Sequence, residues 1–290
     1  MDAVLDALDP RPGRVVVDCT LGLGGHSAEL LRRIQPGGKL IGIDFDPANM
    51  AVARRALERV GGAFELFHDN FAALPTVLQQ AGVTHVDAVL ADVGVASTQI
   101  DDPTRGFSYR RPGPLDMRMD PTRGQPASAL LARIGESELA AALLELGDET
   151  DAPEIARLIV ERRKIAPITT TQALAKIVCD ARDFTFERAA GAKLHPAART
   201  FQALRILVNR ELANLERLLR VLPDHLKPGG VCAIISFHSG EDRIVKKSFQ
   251  ELHRAGIYKK ITRDPVVASA VEAESNPRAR SAKLRWALRA

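Results

Sequence analysis

The sequence predicts an α/β protein whose parallel sheet is interrupted in the chain by an inserted all-helical segment. Short β-branched runs alternate with segments of helical period up to Asp92, and the alternation resumes after His195-Pro196. Strands that alternate with helices run parallel and are joined by right-handed crossovers. We therefore expect residues 1–104 and 202–290 to form one domain and residues 105–201 to form a separate helical domain.

The expected strands are short runs rich in valine, isoleucine and phenylalanine that end at turn residues. They cover residues 14–17, 39–43, 64–67, 86–90, 231–237 and 283–288. The helices between them carry apolar residues at three- and four-residue spacing, and Pro47 suits the first turn of one of them. One long amphipathic helix is expected over residues 204–222, followed by a turn at residues 227–230.

The composition of the chain limits which partners, metal sites and membrane segments can be expected. The chain has 290 residues and a formal net charge of +4, which allows nucleic acid as a partner without requiring it. Cys19, Cys179 and Cys232 lie far apart and lack the spacing of metal ligands, so we expect reduced, buried thiols and no metal site. No apolar run reaches membrane-spanning length, and the N-terminus lacks the pattern of a signal peptide. These features favour a soluble, cytoplasmic protein without a membrane partner.

A glycine-rich loop separates the first strand from the first long helix. Gly22, Gly24 and Gly25 permit positive φ and a close approach of a ligand to the backbone. A plain strand-to-helix turn is the competing interpretation, but Asp44 follows the second strand about 20 residues later, where an acid can bind a ribose. The third glycine of the dinucleotide fingerprint is missing. The loop therefore favours an adenosine that carries an amino acid over a pyrophosphate.

Four loops converge on one edge of the expected sheet. Gly24, Asp44, Phe71 and Asp92 each lie just beyond the carboxyl end of a strand, and open parallel sheets bind their ligands at that edge. The aromatic face of Phe71 suits an adenine ring. A core position for Phe71 is an equally good interpretation.

A set of short motifs occurs in one order along nearly the whole chain. The motifs are DCTLGLGGHS (18–27), DVGVAS (92–97), RGFS (105–108), GPLDMRMD (113–120), FQALR (201–205), SFHS (236–239) and NPRARS (276–281). Together they closely resemble the bacterial methyltransferases that modify the exocyclic 4-amino group of a cytidine in small-subunit (16S) ribosomal RNA. The ordered set is highly specific, although each motif alone is weak.

This resemblance implies an S-adenosylmethionine-dependent enzyme with a Rossmann-like class I methyltransferase sheet and an inserted helical substrate domain. It also implies a role in rRNA processing, with small-subunit ribosomal RNA or the small ribosomal subunit as partner. The family's cofactor contacts fall on residues that mostly follow strand ends. In this sequence they are Gly24, Gly25, His26, Asp44, Phe71, Asp92 and Gln99. Gln99 enters through the resemblance alone.

The chemistry of methyl transfer suggests three catalytic candidates. A cytosine amine is a poor nucleophile, and an acceptor that hydrogen-bonds its protons stabilises the positive charge that develops during attack. Asp92, at the end of the fourth strand, is the best-placed acceptor, and it could equally hold the cofactor. Ser236 and His238 are second candidates, although a purely structural role in the turn is as good an interpretation for His238.

Basic residues at the start of the inserted segment are candidates for substrate binding. Arg105, Arg110, Arg111 and Arg118 would face RNA phosphates, and the alternative is a solvated charged loop. The sequence departs from the family pattern at Ala96, where serine is usual, and at Gly240, where leucine is usual. The change at Gly240 leaves a catalytically impaired RNA-binding relative as one alternative function. A methyltransferase that acts on DNA or on another RNA is a second alternative.

Overall fold

The computed structural model describes residues 1–190 and 195–290 and divides into two compact units. Unit 1 comprises Met1–Gly94 and Leu212–Ala290, and unit 2 comprises Val95–Glu211. Unit 1 contains an α/β sheet and unit 2 is helical, which confirms the predicted fold class. No helix among the described residues is long and apolar enough to cross a membrane.

The helices have the following bounds in chain order. They are α1 (Asp2–Leu8), α2 (Gly25–Ile34), α3 (Pro47–Val60), α4 (Leu74–Gln80), α5 (Ser97–Asp101), α6 (Ala127–Leu131), α7 (Glu136–Gly147), α8 (Ala152–Ile165), α9 (Thr171–Asp180), α10 (Phe186–Ala190), α11 (Ala198–Asn209), α12 (Glu211–His225), α13 (Ser239–Arg254) and α14 (Ala270–Ser275). Pro47 opens α3 as predicted, and the Asp46 side chain caps that helix by accepting the Ala48 N–H at 3.0 Å.

The strands all join one sheet in unit 1. They are β1 (Val15–Asp18), β2 (Lys39–Asp44), β3 (Ala63–His68), β4 (Val86–Asp92), β5 (Leu226–Ser236), β6 (Tyr258–Ile261), β7 (Val266–Val267) and β8 (Lys283–Arg289). Their order is β3-β2-β1-β4-β5-β8-β6, with β7 paired to β8. Strands β1 to β5 are mutually parallel, and β8 runs antiparallel to β5. The sequence pattern had not predicted β6 and β7.

Helices cover both faces of this sheet. Successive residues of a strand point to opposite faces, so neighbours on β1 enter different cores. Val17 belongs to a core that includes Leu218 of α12, whereas Val16 belongs to a second core with Leu30 of α2 and Leu57 of α3. Two apolar layers explain why the central strands read as nearly continuous apolar runs.

Two predictions about the chain after residue 203 are wrong. The helix expected over residues 204–222 is two helices, because Arg210 adopts a left-handed conformation (φ 51°) that ends α11 before α12 begins. Residues 227–230 do not form a turn before β5 but an irregularity within it. There the pairing jumps from Val86↔Leu226 to Ala88↔Val231, and Gly229 takes positive φ.

Unit 2 encloses its own apolar core. Residues of α6 to α9 and α11 pack together with the loop that follows α5. The unit begins before and ends after the expected segment 105–201, because Val95, Leu207 and Val208 pack against the same core. Gly113 ties the loop to the start of α9: its N–H donates to Thr171 Oγ1 at 3.1 Å, and its carbonyl accepts the Thr171 N–H at 3.0 Å.

Candidate active site

Acidic residues end three of the parallel strands in unit 1. Asp18, Asp44 and Asp92 are the last residues of β1, β2 and β4. Because the strands are parallel, their carboxyl ends lie at one edge of the sheet, which is the edge where such sheets bind ligands. Ser236 ends β5 at the same edge.

The glycine loop between β1 and α2 has the backbone that its sequence requires. Gly22 and Gly24 adopt φ of 52° and 84°. A Cβ on Gly24 would lie 3.2 Å from Ala53 Cα, so both conformation and packing favour glycine there. A Cβ on Gly25 would meet nothing within 4 Å, which leaves open space beside the first residue of α2. The unpaired N–H groups of a helix start face such a space.

Asp44 supports the glycine loop from the neighbouring strand. Its Oδ2 accepts the Gly22 N–H at 2.6 Å, and its Oδ1 accepts the Asp46 N–H at 2.7 Å and the Asn49 amide at 3.3 Å. Burial raises the pKa of the carboxyl group, and these hydrogen bonds oppose the rise. Two carboxylate oxygens offer about four acceptor positions, so the three hydrogen bonds leave room for one more donor.

Asp18 is a buried acid at the centre of the edge. Its carboxylate accepts the Ser27 hydroxyl at 2.7 Å and the Thr20 N–H at 3.1 Å, and its exposed fraction is 1%. Thr20 links β1 to β4, because its hydroxyl oxygen accepts the Asp92 N–H at 2.6 Å. Burial raises the pKa of Asp18, and its hydrogen bonds and His26 oppose that rise.

Asp92 is the acid that ends β4 at this edge. Its Oδ1 is buried and has no hydrogen-bond partner among the described residues. Its Oδ2 lies 3.7 Å from His26 Nδ1, which is beyond hydrogen-bond distance, and burial lowers the pKa of His26 so that the ring is neutral near pH 7. Burial, reinforced by the charges of Asp18 and Glu241, raises the pKa of Asp92 to about 7.

The turn between β5 and α13 holds the other two catalytic candidates. His238 is the N-cap of α13, where its Nδ1 accepts the Glu241 N–H at 3.4 Å, while its Nε2 lies 3.1 Å from Glu241 Oε1 without the alignment of a hydrogen bond. The Ser236 hydroxyl donates to the Lys283 carbonyl at 3.4 Å. Both side chains therefore have structural partners, which favours the structural interpretation of His238.

Two further cofactor candidates differ in their surroundings. Phe71 opens a short 3-10 turn after β3 and is partly buried against the core of unit 1, so part of its ring remains accessible. Gln99 lies in unit 2, where it is buried and its Oε1 accepts the Ala96 N–H at 2.8 Å. The cofactor roles of both residues stay predictions.

The structure separates the four arginines of unit 2. The Arg105 guanidinium donates to the carbonyls of Met119 and Arg118, at 2.7 and 3.1 Å. Arg118 forms a two-pronged pair with Asp116, at 2.7 and 2.8 Å, and this hydrogen bonding raises the pKa of the guanidinium. Arg110 and Arg111 are exposed. The last two are thus better placed for a ligand than the first two.

Sequence analysis missed two acids that belong to this constellation. Asp18 could have been found, because it ends β1 just as Asp44 and Asp92 end their strands. Glu241 is 1% exposed and follows His238 by three residues, which is the spacing of a helix capping box. That spacing predicts a helix start but gives no sign that the carboxylate approaches Asp92.

The edge fits a nucleoside that carries a positive charge. Gly25 leaves space beside the backbone, Asp44 retains acceptor capacity, and the orphaned Oδ1 of Asp92 offers a buried anionic acceptor. S-adenosylmethionine combines a ribose, an adenine and a sulfonium cation. The residues present therefore match the group that the resemblance implies.

Comparison with known proteins gives the family. The model of the MraW methylase family matches residues 1–290. A relative in Sorangium cellulosum, named ribosomal RNA small subunit methyltransferase H, is 46% identical over 99% of this chain and 88% of its own. Proteins of the same name in Trichlorobacter lovleyi and Heliobacterium modesticaldum are 45% and 44% identical, each over 98% of this chain and 95% of their own length. A Rossmann-like sheet with these acids at its edge and a match along the whole chain agree, and the chain belongs to the MraW methylase family of S-adenosylmethionine-dependent methyltransferases.

Proposed function

We propose that this chain transfers a methyl group from S-adenosylmethionine to the exocyclic 4-amino group of a cytidine in small-subunit ribosomal RNA, in the bacterial cytoplasm. The observation that carries the proposal is the buried, unpartnered Oδ1 of Asp92 at the carboxyl end of β4. Relatives above 40% identity bear the name of a small-subunit rRNA methyltransferase, which supports the substrate class.

Different residues of unit 1 bind the cofactor and position the target amine. S-adenosylmethionine supplies an electrophilic methyl group when it is bound. In our proposal Asp44 accepts from the ribose, the backbone at Gly24 and Gly25 lies along the amino-acid portion, and the ring of Phe71 flanks the adenine. Asp92 accepts a hydrogen bond from the target amine and so orients the nitrogen lone pair for in-line attack.

Labelled methyl transfer tests the function directly. The purified protein is incubated with S-adenosylmethionine and, in parallel, with small ribosomal subunits, naked 16S RNA and duplex DNA that all lack the modification. We expect label in a subunit or RNA sample, recovered as N4-methylcytidine after digestion. Label on DNA alone, or on another nucleoside, would reject the proposed substrate. Cofactor binding without any transfer would support an impaired RNA-binding relative.

The geometry around Gly240 does not favour impairment. Gly240 lies in the first turn of α13, where the capping contacts of His238 and Glu241 are intact. A Cβ on Gly240 would lie 3.1 Å from His238 Nδ1, so a larger residue there requires a shifted ring. The glycine is therefore compatible with the turn in its observed form.

Removing the Asp44 side chain should weaken cofactor binding. The Asp44→Ala variant loses a hydrogen bond to the ribose and the support of the Gly22 N–H, and we expect a loss of about 1–3 kcal/mol in binding free energy. Calorimetric titration with S-adenosylmethionine measures the loss, and thermal denaturation checks the fold. The Asp44→Asn variant keeps one acceptor oxygen, so its affinity for S-adenosylmethionine should lie between those of the wild type and the Asp44→Ala variant. Wild-type affinity in a folded Asp44→Ala protein would exclude the ribose role.

RNA binding should depend on the exposed arginines of unit 2 more than on the paired ones. The Arg111 guanidinium donates to the Asp101 carbonyl and lies 3.5 Å from the Asp101 carboxylate, on an exposed surface. The guanidinium carbon of Arg110 lies 6.0 Å from the Tyr109 ring centroid. Surface contacts of this kind are weak and leave guanidinium groups available to phosphates. Arg105 and Arg118 instead hold the loop of unit 2 together.

The double variant Arg110→Ala/Arg111→Ala should therefore bind RNA less tightly and with a smaller salt dependence. If each arginine contacts one phosphate, the slope of log affinity against log salt should shrink by about 1.4–1.8. The Arg157→Ala variant is the matched control, because that exposed arginine of α8 contacts Glu154 and Glu161. Equal salt slopes for the wild type and the double variant would show that Arg110 and Arg111 belong to a solvated loop that does not contact RNA. The affinity for S-adenosylmethionine should not change in the double variant or in the control.

A further inference from the structure

Asp92 is surrounded by acids and lacks a cationic partner within contact distance among the described residues. Asp18 ends β1, which pairs with β4, and Glu241 accepts the N–H of Phe237, two residues beyond the β5 partner of Asp92. Both acids are 1% exposed, and their charges contribute to the raised pKa of Asp92. His26 on α2 is its nearest basic group, but burial keeps that ring neutral. The ammonium group of Met1 acts on Asp92 from a distance and contacts Glu272 at 3.9 Å.

Glu241 is held rigidly beside this group. Its Oε2 accepts the Phe237 N–H at 2.8 Å and the His238 N–H at 3.4 Å, and its Oε1 lies 3.1 Å from His238 Nε2. These contacts fix the carboxylate to the turn after β5, next to the strand that ends at Asp92. These contacts place the carboxylate of Glu241 at the same edge of the sheet as Asp92.

We propose that Asp18 and Glu241 tune Asp92 to exchange one positive charge for another during a turnover. Asp92 as carboxylate attracts the sulfonium of S-adenosylmethionine, and after transfer it accepts the proton that the methylated amine releases. The inference rests on the proposed function and adds Glu241 to the site as a positioning residue, which acts through Asp92.

The charges and bonds balance in this step. The lone pair of the amine nitrogen forms the new N–C bond, and the electron pair of the broken C–S bond stays on sulfur, which becomes a neutral thioether. The nitrogen then carries one proton in excess, and this proton moves to Oδ1 of Asp92. The buried pocket therefore keeps the same net charge before and after transfer.

The proposal predicts that the protein binds S-adenosylmethionine in preference to its thioether product, S-adenosylhomocysteine, and that this preference depends on pH. Below pH 7 Asp92 is protonated and gives the sulfonium no advantage, whereas above pH 7 its carboxylate attracts the sulfonium. The thioether gains nothing from that charge. If the preference follows the ionised fraction of one group with a pKa of about 7, it should rise about tenfold between pH 6 and pH 8.

Calorimetric titrations test the proposal without RNA. Dissociation constants for S-adenosylmethionine and S-adenosylhomocysteine are measured at pH 6, 7 and 8, in two buffers of different ionisation enthalpy. For the wild type we expect the preference to rise about tenfold and binding of S-adenosylmethionine to release a proton near pH 7. The Asp92→Asn variant should show neither effect.

Three further variants separate tuning from mere structure. The Glu241→Gln variant keeps an acceptor for the turn but removes the charge, so the midpoint of the rise should move to lower pH, and Glu241→Asp should restore it. Asp87→Asn, at the other end of β4, should behave as wild type, because Asp87 contacts Lys227 and the Val15 N–H instead.

The proposal would be overturned if the wild-type preference for S-adenosylmethionine did not change with pH. It would also be overturned if the Glu241→Gln variant left the pH midpoint of that change where it is in the wild type. A pH-dependent preference together with absent RNA methylation would instead reject the proposed substrate, so the two failures are distinguishable.

Discussion

The Asp92→Asn variant is expected to methylate small ribosomal subunits at least about a hundredfold more slowly than the wild type at saturating S-adenosylmethionine. The substitution keeps the size of the side chain but replaces one of its two oxygens with an NH2 donor. One of those oxygens, Oδ1, is buried and has no hydrogen-bond partner among the described residues. The remaining amide oxygen can still accept a hydrogen bond from the target amine, but an amide carries no negative charge to stabilise the developing cation and cannot take the proton. Saturation with cofactor removes the effect of weaker sulfonium binding, so the remaining loss belongs to the transfer step.

Single-turnover methylation, run beside a binding titration, measures both quantities. Asp87→Asn is the control on the same strand, and it should retain the wild-type rate. If saturating cofactor restores the rate of Asp92→Asn, the carboxylate serves cofactor binding alone. A variant with wild-type rate and wild-type affinity would remove Asp92 from the site.

The Gly113→Ala variant is expected to lose about 3 kcal/mol or more of the unfolding free energy of unit 2. An added Cβ would lie 1.9 Å from the carbonyl oxygen of Pro103, and a backbone oxygen cannot rotate away as a flexible side chain can. Relief requires the loop to move, which breaks the paired hydrogen bonds between Gly113 and Thr171. RNA binding should fall with the loss of this loop.

Hydrogen exchange resolved by segment measures the effect, since protection should drop across residues 95–190 and stay high in the sheet of unit 1. The matched control is Gly135→Ala in the same unit. A Cβ there meets nothing within 4 Å and the φ of −68° is ordinary, so the cost should be limited to the poorer N-cap preference of alanine on α7, about 1 kcal/mol or less. Equal protection in the two variants would show that the loop around Gly113 yields at little cost.

The local sequence pattern was sufficient to predict the parallel strands of the sheet and two of the acids at their carboxyl ends, Asp44 and Asp92. Within β2 and β4, residues 40–43 and 88–91 are uncharged because both faces of the sheet are covered by helices, and Asp44 and Asp92 are the first charges after them. The position of a residue along a strand is determined by its neighbours in the sequence, so a local pattern can predict it. Their placement at one edge then follows from the parallel direction of the strands alone.

Long-range partners account for what the pattern could not predict. Arg105 and Arg118 look like members of one basic cluster, yet the first binds carbonyls more than ten residues away and the second binds Asp116. The apolar period also continues past Arg210, because a single left-handed residue ends one helix before the next begins without changing the spacing of leucines. Glu241 reaches the acidic group only through the pairing of β5 with β4.

The adjacency of β4 and β5 has a consequence for biosynthesis. These strands pair in parallel, yet the whole of unit 2 lies between them in the chain. At translation rates of about 5–20 residues per second, the open edge of β4 waits on the order of ten seconds for its partner. An exposed edge in that interval can pair with a foreign chain. Early collapse of unit 2 replaces a long flexible loop by a compact body, which lowers the entropic cost of joining the two strands.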